Sequence, residues 1–138
     1  MQLVNTLARL FDRQLGEGGV VSVQNPISLP PDNEPQPDIA VLRVETLRRR
    51  EVSSAQDVLL VVEVSHTTLE YDRDVKIPID ARHGIPEVWL FDLQSNSMSI
   101  YLDPPSKGYR RLLTPKVDET VSPTLLSSVS IRLADLWQ

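Results

Sequence analysis

The stretch Val58-Leu59-Leu60-Val61-Val62-Glu63-Val64-Ser65 decides the fold. It is rich in β-branched residues and apolar on both faces, the pattern of a strand in the middle of a sheet covered on both sides. Glu63 interrupts it. An unpaired carboxylate costs several kcal/mol to bury, so Glu63 needs a cation, a metal or an opening to water. The plain alternative is a glutamate at the strand end, solvated or salt-bridged. Alternation places Leu59, Val61, Glu63 and Ser65 on one face, so Glu63 and Ser65 point into the same space.

Working outward, Asp38 follows Pro37 and opens a second strand candidate that runs to Val44. Between residues 30 and 37 stand Pro30, Pro31, Pro35 and Pro37, which cannot join a central ladder, so residues 29–37 read as an extended connector. A PxxP-ligand reading of that connector is weak. On the other side, Thr67 to His83 reads as a helix with a Thr67-x-x-Glu70 capping box and Gly84 as its stop. Pro78 conflicts with a continuous helix and predicts a kink or a break. Glu87 to Leu93 and Ser97 to Leu102 form an apolar strand pair across a polar turn. Upstream, Leu3, Leu7, Leu10, Phe11 and Leu15 make an amphipathic helix ended by Gly16, Gly18 and Gly19, followed by a short strand from Val20 to Val23. Tyr109–Leu113 and Val129–Leu133 are further strand candidates, and Ala134 begins a candidate terminal helix. The sum is one α/β (α+β) domain over residues 1–138, a mixed central sheet flanked by helices with a β-rich C-terminal third.

Composition narrows the chemistry. The chain has 138 residues and no cysteine, which removes disulfide, zinc-finger, iron–sulfur and cysteine-nucleophile readings. Its longest apolar run, Val58 to Val62, falls far short of the roughly 20 residues that span a bilayer, so a soluble, cytoplasmic protein without a membrane partner is expected. Fourteen basic and nineteen acidic side chains give 14 − 19 = −5, a field that repels polyanions at long range.

If the strands opened by Asp38 and ended by Glu63 pair, as consecutive strands often do, two carboxylates converge at one end of the sheet. Such a pair suits Mg²⁺, which takes one or two carboxylates and leaves positions for water and phosphate oxygens. The bland reading of Asp38 is a turn aspartate after proline. Lys76 stands four residues after Asp72 and four before Asp80, on one helix face; a solvated ion-pair stripe is the ordinary account of that spacing.

Pro37-Asp38, Glu63-Val64-Ser65-His66-Thr67-Thr68, Asp72, Lys76 and the run from Gly84 to Asp92 together resemble the Uma-two family of restriction-endonuclease-like proteins, within the PD-(D/E)XK nuclease superfamily. The resemblance extends from about residue 3 to the C-terminus. It implies that Asp38 and Glu63 hold Mg²⁺, or Mn²⁺ in its place, with the backbone carbonyl of Val64. It further implies that the lysine usually found two residues after the acid, here Ser65, is displaced onto the following helix as Lys76, with Ser65, Thr67, Thr68 and Asp72 as its polar surround. The implied activity is Mg²⁺-dependent endonucleolytic hydrolysis of DNA phosphodiesters by a homodimer, since cutting two strands favours two sites. A catalytically inactive DNA-binding or protein-interaction module of the same fold is the alternative. The chain departs from the family pattern by starting late, so an N-terminal segment is expected to be missing, and by carrying Pro78 in place of a helix former and Asp80 in place of a tyrosine.

Other features carry less. His66 and His83 lack metal-ligand spacing, the serines lack a nucleophile elbow, and no glycine-rich phosphate loop is present. Arg48, Arg49 and Arg50, with Lys107, Arg110 and Arg111, are the candidate phosphate contacts, against an equal reading as solvated loop charge.

Overall fold

A computed structural model describes residues 2–49, 51–104 and 108–137. In chain order its elements are α1 (Gln2–Leu15), β1 (Val20–Val23), β2 (Ile27–Ser28), β3 (Ile39–Leu42), β4 (Ser53–Ser54), β5 (Val58–Ser65), α2 (Leu69–Tyr71), a π-helical turn (Asp72–Lys76), α3 (Ile77–Arg82), β6 (Glu87–Asp92), β7 (Ser97–Leu102), β8 (Arg111–Leu113), β9 (Thr120–Val121) and β10 (Ile131–Arg132). Six strands form the central sheet in the order β1-β3-β5-β6-β7-β8. Only β5 and β6 are parallel, joined by the α2–α3 crossover; the other neighbours are antiparallel, which makes the mixed α+β sheet that the sequence predicts.

All eight residues of β5 are buried, as expected of its two apolar faces. On one face α1 lays down Leu3, Leu7, Phe11 and Leu15 against Val62, Val64, Trp89 and Phe91. Fully burying such side chains contributes about 1.5–3 kcal/mol each. On the other face Ile77 and Ile85, with Ile27 and Leu29, cover Val58, Val61, Val88 and Leu90. The C-terminal third joins the α1 side, where Leu126, Val129, Ile131 and Leu133 extend the same core. No helix among the described residues is long and apolar enough to cross a membrane.

Several expectations need correction. Leu59 does not share the Glu63 face: Val41 pairs with Leu60 and Leu42 with Val58, so Leu59 bulges out of register and packs on the α1 side. The helix predicted over residues 67–83 begins at Leu69, with Thr68 rather than Thr67 at its N-cap and no side-chain cap, and divides at the π turn. There the Ile77 N–H bonds the Asp72 carbonyl five residues back. Pro78 then sits in the first turn of α3, where its missing N–H costs little. The terminal helix is a 3₁₀ turn over Leu133–Asp135, and the strand candidates at 109–113 and 129–133 shorten to β8 and β10.

Candidate active site

Asp38 and Glu63 meet where the sheet predicts. Ile39 pairs with Val62, so Asp38, one residue before β3, lies beside Glu63 and Val64 at the end of β5. Each carboxylate accepts from the other strand's backbone: the Val64 N–H donates to Asp38 Oδ2 at 2.7 Å, and the Asp38 N–H to Glu63 Oε1 at 3.5 Å. The Ser65 carbonyl accepts from Leu93 N–H, so it faces the β6 side. Because successive residues of a strand alternate sides, the N–H and C=O of Val64 both face Asp38. Two carboxylates and one carbonyl therefore lie together at these strand ends, with Glu63 the one of the three that lines the adjoining cleft.

Lys76 reaches this space from the π turn. Its Nζ stands 3.3 Å from Asp72 Oδ1 and 3.9 Å from Glu63 Oε1. Asp72 is buried and carries three partners, since the hydroxyls of Ser65 and Thr68 both donate to Oδ2, the latter at 2.9 Å. Ser65 thus occupies the strand position two residues after the acid and acts through Asp72, which leaves Oδ1 to hold the lysine. Thr67 is exposed, and the adjacent Thr68 makes the contact to Asp72.

Electrostatics follow from burial. Glu63 is 4% exposed, and desolvation pushes its pKa up to about 8 against the attraction of Lys76, with Asp38, Asp80 and Asp72 adding to the rise. Burial works against the Lys76 charge, but Glu63 and Asp72 outweigh it and hold its pKa above the ordinary lysine value. Asp80, also buried, rises to about 7 through desolvation, opposed by Lys76 and His83. Glu63, Lys76 and Asp80 open into a cleft of about 240 Å³ that is also lined by the connector at Asp32, Asn33 and Glu34 and by Tyr71.

The donor set fits a hard divalent cation. Among the described residues no three Asp, Glu or His side chains form a metal-sized group, so the protein offers two carboxylates and a backbone carbonyl. That is the sparse set Mg²⁺ accepts, with its other positions left to water and phosphate. A buried carboxylate that burial drives toward its neutral form is also one a cation stabilises as the anion.

This constellation coincides with a family match: the model described as "Uma2: Putative restriction endonuclease" matches residues 2–134. The chain belongs to the Uma2 family. The fold is similar to a solved structure described as a "putative nuclease belonging to DUF820" from Anabaena variabilis ATCC 29413, at 15% identity and a TM-score of 0.76, covering 98% of this chain and 78% of that one. Among curated proteins nothing matches.

Not every residue singled out from sequence joins the Uma2 site. Arg48 and Arg49 lie beyond the other end of β3, because that strand runs from Ile39, next to Asp38, to Leu42 and then into the 3₁₀ turn Val44–Arg48. Arg49 is paired with Asp57. Arg50 and Lys107 fall outside the described residues, and Arg111, on the edge strand β8, pairs with Asp103 at 3.5 Å. His66 is exposed, whereas His83 ties α3 to the connector, with Nδ1 2.9 Å from the Ile79 carbonyl and Nε2 2.8 Å from that of Pro30. Sequence reading missed the connector as a wall of the site and missed Tyr71 altogether. The first had a partial signal in its four prolines, which keep it out of the central sheet, but the extended path expected over residues 29–37 is wrong at its start, where Leu29 and Asn33 bridge across a turn; the second had none, since its placement depends on the π turn.

Proposed function

We propose that this Uma2 chain is a metal-dependent endonuclease that hydrolyses DNA phosphodiester bonds. The observation that carries the reading is the buried Glu63 at the floor of the cleft, flanked by Asp38 on the neighbouring strand and faced by Lys76. Asp38, Glu63 and the Val64 carbonyl would hold Mg²⁺, or Mn²⁺ in its place. When bound there, the ion offsets phosphate charge and lowers the pKa of a water molecule. Asp38 and Glu63, which by themselves repel a phosphate, would fix where the ion sits relative to the strand ends. Lys76, held 3.3 Å from Asp72, presents a cation to the charge that develops on the phosphoryl oxygens. Ser65 and Thr68 keep Asp72 in one orientation, so the lysine spends little entropy in reaching the transition state. Attack by water breaks the bond to the 3′ oxygen and leaves a 5′-phosphate and a 3′-hydroxyl.

A plasmid-nicking assay in Mg²⁺ and in Mn²⁺ tests this. Wild type is expected to nick only with the metal, and Glu63→Gln and Lys76→Ala each to lose at least about 100-fold in rate, the scale of one lost transition-state contact. Nicking that survives both substitutions overturns the assignment.

A further inference from the structure

The π turn has a specific geometric effect. Residues five apart on an α-helix lie about 140° apart around the axis, at 100° per residue. Where the Ile77 N–H bonds the Asp72 carbonyl, the turn is widened to five residues, and Tyr71 and Lys76 come onto one face. Both line the cleft. Tyr71 is 56% exposed and ends α2 where the π turn begins. It fills no core position.

The connector wall offers no cation to a second DNA backbone among the described residues that line the cleft. The connector presents Asp32 and Glu34, and Lys76 is the one cationic side chain among the described residues that line the cleft. Duplex binders normally set several Lys and Arg against both phosphate backbones. Here Arg48 and Arg49 sit at the other end of β3, Arg73 in the π turn is paired with Asp74, and the chain as a whole carries −5. The cleft, about 240 Å³, is also smaller than the roughly 300–1,000 Å³ of most small-molecule sites, and Glu63 lies at its floor. A phosphate that reaches Glu63 meets one cation among the described residues lining the cleft, Lys76, which serves one backbone and not two.

We infer that the cleft takes a single unpaired DNA strand, with one base stacked on Tyr71 and the adjoining phosphate against Lys76. This rests on the nuclease reading and names its substrate class. An aromatic face binds any base by stacking, so the site is tolerant of sequence. A duplex must first unpair there, at an energetic cost that a single strand does not bear.

Two readouts on the full chain test it. Binding is measured in Ca²⁺ by the fluorescence of a 2-aminopurine-labelled 20-mer, single-stranded or fully paired; cleavage of the same oligonucleotides is measured in Mg²⁺. Single strands are expected to bind at least tenfold more tightly, with quenching of the 2-aminopurine. Tyr71→Ala should lose about tenfold in single-strand affinity and most of the quenching, and Tyr71→Phe should restore both, because the ring and not the hydroxyl does the stacking. Equal binding of duplex and single strand, or a Tyr71→Ala variant indistinguishable from wild type, overturns the inference. If the strand preference and its dependence on Tyr71 hold while no oligonucleotide is cut, the nuclease reading fails and the inference stands.

Discussion

A carboxyl group removed from water at the end of an apolar strand favours its proton, and this sets the pH response of the metal-free protein. Glu63 titrates near 8 in the fold against 4.5 ordinarily, and Asp80 near 7 against 3.8, with burial the leading cause for both. Between the ordinary and the folded values the native state holds protons that the unfolded chain has released, so stability falls as pH rises across that interval. The thermal midpoint of the metal-free protein is therefore expected to drop between pH 5 and pH 8. Glu63→Gln, which keeps the shape and removes the titration, should flatten that slope and raise the midpoint more at pH 8 than at pH 5. A slope that is the same in the variant contradicts the buried-carboxylate account. The same residue was the clearest signal in the sequence, because a lone acid in an apolar β-branched run admits few explanations.

At the scale of elements, the segment between β5 and β6 is where backbone geometry makes the site. Side-chain periodicity finds a helix over residues 67–83, but it cannot see which carbonyl an N–H selects, and that selection produces the π turn. Pro78 supports it: proline has no N–H to give to the carbonyl of residue 74, and its ring crowds that carbonyl in an unbroken α-helix. Pro78→Ala returns an α-helical donor, so the variant is expected to have an unchanged or higher thermal midpoint together with an activity roughly tenfold lower, as Tyr71 and Lys76 move apart around the axis. A variant that is both destabilised and fully active would show that the widened turn does not depend on Pro78. The bulge at Leu59 escaped prediction for a similar reason, since strict alternation assumes a ladder without an extra residue. β2, β4 and β9, two residues each, are too short to carry any period, whereas α1, β5, β6 and β7 are long and strongly patterned and were legible.

For the whole molecule, the sheet order turns residues far apart in sequence into one site. Asp38 and Glu63 are 25 positions apart and become neighbours because β3 and β5 pair antiparallel, a pairing that consecutive strands favour and that the sequence already suggested. The connector joins them because the Leu29–Asn33 bridge turns it locally and His83 Nε2 holds it at the Pro30 carbonyl, a contact across 53 positions that the proline pattern does not encode. Net charge, which argues against a duplex binder, agrees with a site whose attraction for phosphate depends on a bound cation. The most direct test of the central claim, that Asp38 and Glu63 form a divalent-metal centre, is Mn²⁺ binding to the full chain followed by electron paramagnetic resonance. The account predicts saturable binding by wild type and by Lys76→Ala, with loss of at least tenfold in affinity in Asp38→Asn and Glu63→Gln while their folds, monitored by circular dichroism, remain intact. Mn²⁺ binding that is unchanged in folded Glu63→Gln would contradict it.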